Sequence, residues 1–203
     1  MPYSKFTIKR LRDEFNLKIE DNSNIFDKVK IKPSNWLIES LDMAFDSPLL
    51  SEKARSELII TPILQEMRKI NNKSISIFSG LNLDVQSDSD LNGECDFILT
   101  KGNHIYFIDT PLISIVEAKK QDIDLGLAQC IAQMIGAYIF NEQENNNIKT
   151  IFGCVTTGEI WQFMKLEYAN ENYIATIEKK KYYIDNVEKI LGVIQQIIDF
   201  YKD

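Results

Sequence analysis

Two apolar runs joined by a polar stretch constrain this chain more than anything else in it. Residues 95–99 read as one strand and residues 113–116 as part of the next, with Asp96 opening the first and Glu117 and Lys119 closing the second. Strand side chains alternate between faces, so Glu117 and Lys119 project from the same side, about 6–7 Å apart along it. For Asp96 to lie opposite Glu117 in an antiparallel pair, the hairpin must centre near residues 105–107, with Pro111 limiting the pairing there. The two carboxylates and the Lys119 amine are then expected to converge on one pocket. Such a group has the chemistry of a hydrolytic metal site, because carboxylates bind a hard divalent cation and the lysine stands where a water would be activated. An exposed strand-end ion pair would show the same Glu117–Lys119 spacing and would contribute little. The Asp96 strand just upstream favours the site. The other acid-x-Lys triplet, Glu178-Lys179-Lys180, lies in a charged run and reads as a solvated turn.

The remaining composition narrows the function by exclusion. With 203 residues, 44% hydrophobic and 26% charged, the chain can bury one sizeable core. Its net charge of −7 argues against strong duplex-DNA binding by the chain alone. Cys95, Cys130 and Cys154 stand singly among apolar residues at no metal-ligand spacing, which predicts buried, reduced thiols. No signal peptide and no transmembrane run is evident, so a cytoplasmic protein with no membrane partner is expected. There is no glycine-rich phosphate loop and no Ser-His or Cys-His arrangement for a hydrolase triad.

Taken in order, residues 7–19 carry Ile8, Leu11, Phe15 and Ile19 at helical spacing. Residues 1–32 are the one clearly basic segment and read as a solvated face. Ser34 and Asn35 mark the start of a helix over residues 36–45, with Trp36 expected in the core. A longer helix is expected over residues 51–70, kinked where Pro62 removes a backbone bond to Leu58. Glu57, just before that kink, is either a surface acid or a third carboxylate reaching toward the strand site. Residues 75–85 read as a strand and residues 101–111 as the hairpin tip; His104, in that tip, is an incidental loop histidine. A helix over residues 125–140 carries small residues that permit close approach to a sheet. Gln129 and Gln133, four apart, share one of its faces and mark either a site edge or a polar outer face. Strands follow over residues 150–155 and 160–166, with Trp161 in the core, then over residues 173–177, and a helix over residues 187–201 closes the chain.

Over residues 51–166, this order of helix, strands, Asp strand, Glu-x-Lys strand, helix and strand resembles the core of the PD-(D/E)XK nuclease superfamily. The residues that carry the resemblance are Glu57, Asp96 in Gly93-Glu94-Cys95-Asp96, Glu117-Ala118-Lys119, and Gln129 in the next helix. It implies a restriction-endonuclease-like fold, an α/β domain (residues 51–203) with a central mixed sheet flanked by helices, behind a helical N-terminal extension (residues 1–50). It also implies that Asp96, Glu117 and the Ala118 carbonyl ligate Mg²⁺ or Mn²⁺, with Glu57 holding a metal-bound water. Lys119 would orient the attacking water and stabilise negative charge, Gln129 would steady the site or touch a phosphate, and Gln133 would contact nucleic acid. The chain departs from the motif name in having Glu94-Cys95 where the proline stands. Residues 84–124 also hold nine Asp and Glu against three Lys. The implied function is metal-dependent phosphodiester hydrolysis, with DNA ahead of RNA, and a homodimer or a partner subunit supplying the DNA grip. The alternative is the same fold kept as a non-catalytic binding or assembly subunit.

Overall fold

A computed structural model of the chain describes residues 2–22, 24–85, 91–103 and 106–202. His104 and Ile105 lie outside the described residues. The strands are β1 (Lys18–Asn22), β2 (Ile75–Asn82), β3 (Glu94–Lys101), β4 (Leu112–Ala118), β5 (Thr150–Thr156), β6 (Ile160–Ala169), β7 (Asn172–Glu178) and β8 (Tyr182–Tyr183). The helices are α1 (Ile8–Phe15), α2 (Asn35–Phe45), α3 (Glu52–Arg55), α4 (Thr61–Ile70), α5 (Asp124–Gln143) and α6 (Val187–Phe200). The strands form one mixed eight-stranded sheet in the order β1-β7-β6-β5-β4-β3-β2, with β8 beside β6. β4 and β5 run parallel, joined through α5, and β1 runs parallel to β7; the other neighbours are antiparallel. Helices cover both faces. On one, α5 and α1 pack over Ile98, Ile115 and Val155. On the other, α2, α4 and α6 pack over Phe97, Val116 and Phe152. No helix of the described residues is long and apolar enough to cross a membrane.

The expected helical extension is helical only in part. Asn16 takes a left-handed conformation (φ 50°) and ends α1 after Phe15. Ile19, placed by its spacing on the same helix, instead pairs with Ala175 as part of β1. Tyr3 is buried, and its hydroxyl donates to the Leu83 carbonyl at 2.7 Å. The first 50 residues therefore contribute an edge strand and core side chains to the same sheet.

α2 begins as expected: Ser34 Oγ accepts from the Leu37 amide at 3.3 Å, and the Ser34 amide and hydroxyl both donate to the buried Glu66 carboxylate. Trp36, however, is 44% exposed. The buried positions of α2 are Leu37, Leu41 and Ala44, spaced four and three apart, and the residue before Leu37 is turned roughly 100° off that stripe. Trp161 does lie in the core, its indole N–H donating to the Gly158 carbonyl at 2.8 Å. The break near Pro62 takes the form of a π turn over Ser56–Ile60, in which the Thr61 amide bonds to the Ser56 carbonyl. Widening the helix just before a residue with no N–H relieves the ring's clash with the preceding turn.

The face assignment of α2 is directly testable by denaturant unfolding. Leu37→Ala is expected to cost about 2–5 kcal/mol, as for a fully buried leucine. Trp36→Ala is expected to cost less than about 1 kcal/mol, because it opens no enclosed cavity.

Candidate active site

The hairpin register is the one the acids require. Phe97 pairs with Val116, Ile98 with Ile115 and Leu99 with Ser114. Carried one residue outward, this sets Asp96 level with Glu117. The ladder stops there, and the Ala118 amide donates at 2.7 Å to the Asp96 carboxylate. Backbone N–H groups lie in the plane of a sheet, so Asp96 reaches along the ladder. The cause is a break in alternation: Cys95 packs in the α5 core and Phe97, two residues on, in the opposite core.

Glu117 lies opposite Val155 and faces α5, where it is almost fully buried. Lys119 Nζ donates to its Oε1 and, at 3.3 Å, to Gln129 Oε1. Gln133 Nε2 donates to Glu117 Oε2 at 2.8 Å. The two glutamines therefore hold the acid-x-Lys pair from one helix face. Gln133 is different from expectation. It is fully buried, its Oε1 has no hydrogen-bond partner, and it steadies Glu117 where contact with nucleic acid was expected. Gly126 makes this approach possible, since a Cβ there would lie 2.6 Å from Val155 Cγ1 and 3.1 Å from Lys119 Cγ. Lys120, in the bend beyond the end of β4, is exposed.

The expected single pocket is divided. Asp96 opens on the α3 side into a cavity of about 370 Å³ with Glu52, Glu57 and Glu94 in its wall, and neither Glu117 nor Lys119 lines it. Glu57 is mostly exposed, and its carboxylate stands 3.8 Å from Lys53 Nζ. The helix acid whose charge acts on Asp96 and Lys119 is Glu52, at the start of α3, a residue the sequence did not single out. Among the described residues no three His, Cys, Asp or Glu side chains form a group able to hold a metal ion. The donors available for one are Asp96, Glu117 and the Ala118 carbonyl, which in an extended strand lies on the same side as the Ala118 amide. These are hard oxygen ligands, and one or two carboxylates suffice for Mg²⁺, which keeps several waters.

Burial pushes the Glu117 carboxyl up to about 7, with the nearby Asp96 charge adding to the rise and Lys119 and Gln133 opposing it. Burial likewise raises Asp96 against the pull of the Ala118 amide and Lys119. For Lys119, burial alone would lower the amine, but the Glu117 carboxylate outweighs it and the amine is raised. Cys95, Cys130 and Cys154 are free, buried thiols.

A carboxyl raised in the folded state holds a proton that the unfolded chain has released, so its contribution to stability is lost as pH rises. In chelator-treated buffer, unfolding free energy is expected to fall between about pH 4.5 and 7, by on the order of 3 kcal/mol for Glu117. Glu117→Gln should flatten most of that slope in urea titrations at a series of pH values, leaving the smaller part due to Asp96 and Glu178, which burial also raises. Compared with known proteins, the chain matches no family model and no curated protein sequence.

Proposed function

We propose that this chain is a metal-dependent nuclease of the PD-(D/E)XK kind, with a restriction-endonuclease-like core, hydrolysing phosphodiester bonds in nucleic acid, DNA ahead of RNA. The reading rests on one observation: Glu117 and Lys119 are hydrogen-bonded to each other at the end of β4, and Asp96 of the antiparallel neighbour closes on the amide between them. Asp96, Glu117 and the Ala118 carbonyl would hold Mg²⁺ or Mn²⁺, which when bound supplies polarisation of a phosphoryl oxygen and a more acidic water.

The chain's own residues supply the rest. Lys119 is fixed by Glu117 and Gln129, so its remaining N–H donor can orient an attacking water and offset charge gathering on the phosphoryl oxygens. Gln133 fixes the Glu117 rotamer, and the Ala118 amide fixes Asp96. Glu52, Glu57 and Glu94 add negative potential that favours a cation and disfavours a bare phosphate. Affinity for random duplex DNA should therefore be poor in the isolated chain, with a second subunit or a basic partner supplying the grip. That same acidic wall favours the second reading, a nuclease-like fold serving as a non-catalytic binding or assembly subunit.

Lys119→Met and Lys120→Met separate the two. With Mg²⁺ or Mn²⁺ and a panel of single- and double-stranded DNA and RNA, Lys119→Met should lower the hydrolysis rate by orders of magnitude, each tenfold being about 1.4 kcal/mol of transition-state stabilisation. Lys120→Met should leave it within a few-fold. Equal losses in both would remove Lys119 from its role, and no hydrolysis by the unaltered chain, with Glu117→Ala as control, would leave the subunit reading. Millimolar Mg²⁺ should also raise the melting temperature of the unaltered chain and leave that of Glu117→Ala unmoved.

A further inference from the structure

The sheet face beneath α6 changes character toward its β1 edge. Phe152 on β5 is core, but the residues level with it on the next strands are Lys165 on β6, Thr176 on β7 and Glu20 on β1. This row forms one wall of a cavity of about 590 Å³, within the range of small-molecule sites and larger than the one beside Asp96. Phe26, Phe152 and Phe200 line another side, with ring centroids 5.8 Å apart for Phe26 and Phe152 and 5.3 Å for Phe152 and Phe200. Gln196 of α6 holds the loop above: its Oε1 accepts from the Asp27 amide at 2.8 Å and its Nε2 donates to the Asp27 carbonyl at 3.2 Å. Lys165 and Glu167 point into the cavity 2.8 Å apart, so a cationic donor and an anionic acceptor stand side by side next to aromatic rings.

We propose that this cavity binds a guanine-type heterocycle, as base or nucleoside, at a site separate from the candidate nuclease centre. The inference does not rest on the nuclease reading. An alkyl ligand would strip water from the Lys165–Glu167 pair and give nothing back. A flat ring with an acceptor adjacent to donors matches it: guanine O6 accepts from the Lys165 ammonium while N1–H and N2–H donate to the Glu167 carboxylate, and the ring face meets phenylalanine. Adenine presents an amino donor where guanine presents O6, which sets a donor against the ammonium. Phosphates are disfavoured, because Glu20, Glu167 and Asp199 outnumber Lys165 around the cavity.

The test is titration of the full chain with guanosine, adenosine and guanosine 5′-monophosphate, read by calorimetry and by saturation-transfer NMR. Guanosine is expected to bind, adenosine about tenfold or more weakly, and the monophosphate no more tightly than guanosine. Lys165→Met and Glu167→Gln, each checked for a native circular dichroism spectrum, should each weaken guanosine about tenfold; either one alone suffices if the other fails to fold. No saturable guanosine binding up to its solubility limit, equal affinity for adenosine, a monophosphate that binds more tightly than guanosine, or unchanged affinity in a folded Lys165→Met would each overturn the assignment.

Discussion

Glu117 is a carboxylate with almost no access to water, set in a helix–sheet layer otherwise built from Ile115, Ile131, Ile135, Val155 and Cys130. An unpaired charge in such a place costs several kcal/mol. The local architecture is arranged around meeting that demand. Each Glu117 oxygen has its own donor, Lys119 Nζ on one and Gln133 Nε2 on the other, and Gln129 takes part of the lysine's remaining capacity. To deliver two glutamines, α5 must lie close against β4 and β5. Gly126 and Gly153 allow it, because a Cβ on either would collide with Val155 or Met134 across the layer. Removing Lys119 or Gln133 would leave a buried Glu117 oxygen without its donor, which is why these three side chains act as a unit.

The α3 side is tied to the same strand end by a different device. Arg55 donates to the Thr157 carbonyl at 3.0 Å and to Glu159 at 2.6 Å, anchoring the start of the long helix to the β5–β6 turn. The neighbouring Thr156 carbonyl accepts from the Lys119 amide at 2.8 Å. One turn of chain thus sets both the lysine's backbone and the helix that carries Glu52 and Glu57. The result is a layered electrostatic arrangement. Toward α5 lies a neutralised pair in an apolar layer; toward α3 lies an open acidic cavity around Asp96. The two halves are joined by a hydrogen bond at the Ala118 amide, held by Asp96 between Glu117 and Lys119, and by the charges of Asp96 and Glu52 acting on the pair.

How far the sequence could be read depended on the range of the interaction. The β3–β4 pairing was legible because side chains alternate with period two, so Asp96 and Glu117 could meet in only one register. The Ser34 cap and α5 were legible because caps and helix periodicity are local. β1 was not: Lys18-Ile19-Glu20-Asp21-Asn22 has no apolar alternation, and it exists as a strand because β7 offers it an edge. Nor was Glu52 legible as the helix acid whose charge reaches the site, since Glu57 lies within a π turn that directly follows α3 and whose effect on direction no helical wheel contains.

Residue identity and spacing by themselves determined that Glu117 and Lys119 share a face, that Lys120 does not, that Gln129 and Gln133 lie together, and that a mixed α/β arrangement surrounds them. Only the tertiary structure decided that the glutamine face turns inward, so that Gln133 holds Glu117 in the buried layer. It also decided that Trp36 turns outward, and that Asp96 leaves its face to reach the Ala118 amide in the plane of the sheet. Periodicity fixes which side chains lie together on an element. Which of those faces meets another element, and where a ladder ends so that a side chain takes the place of a backbone partner, are set by the packing of segments far apart in the chain.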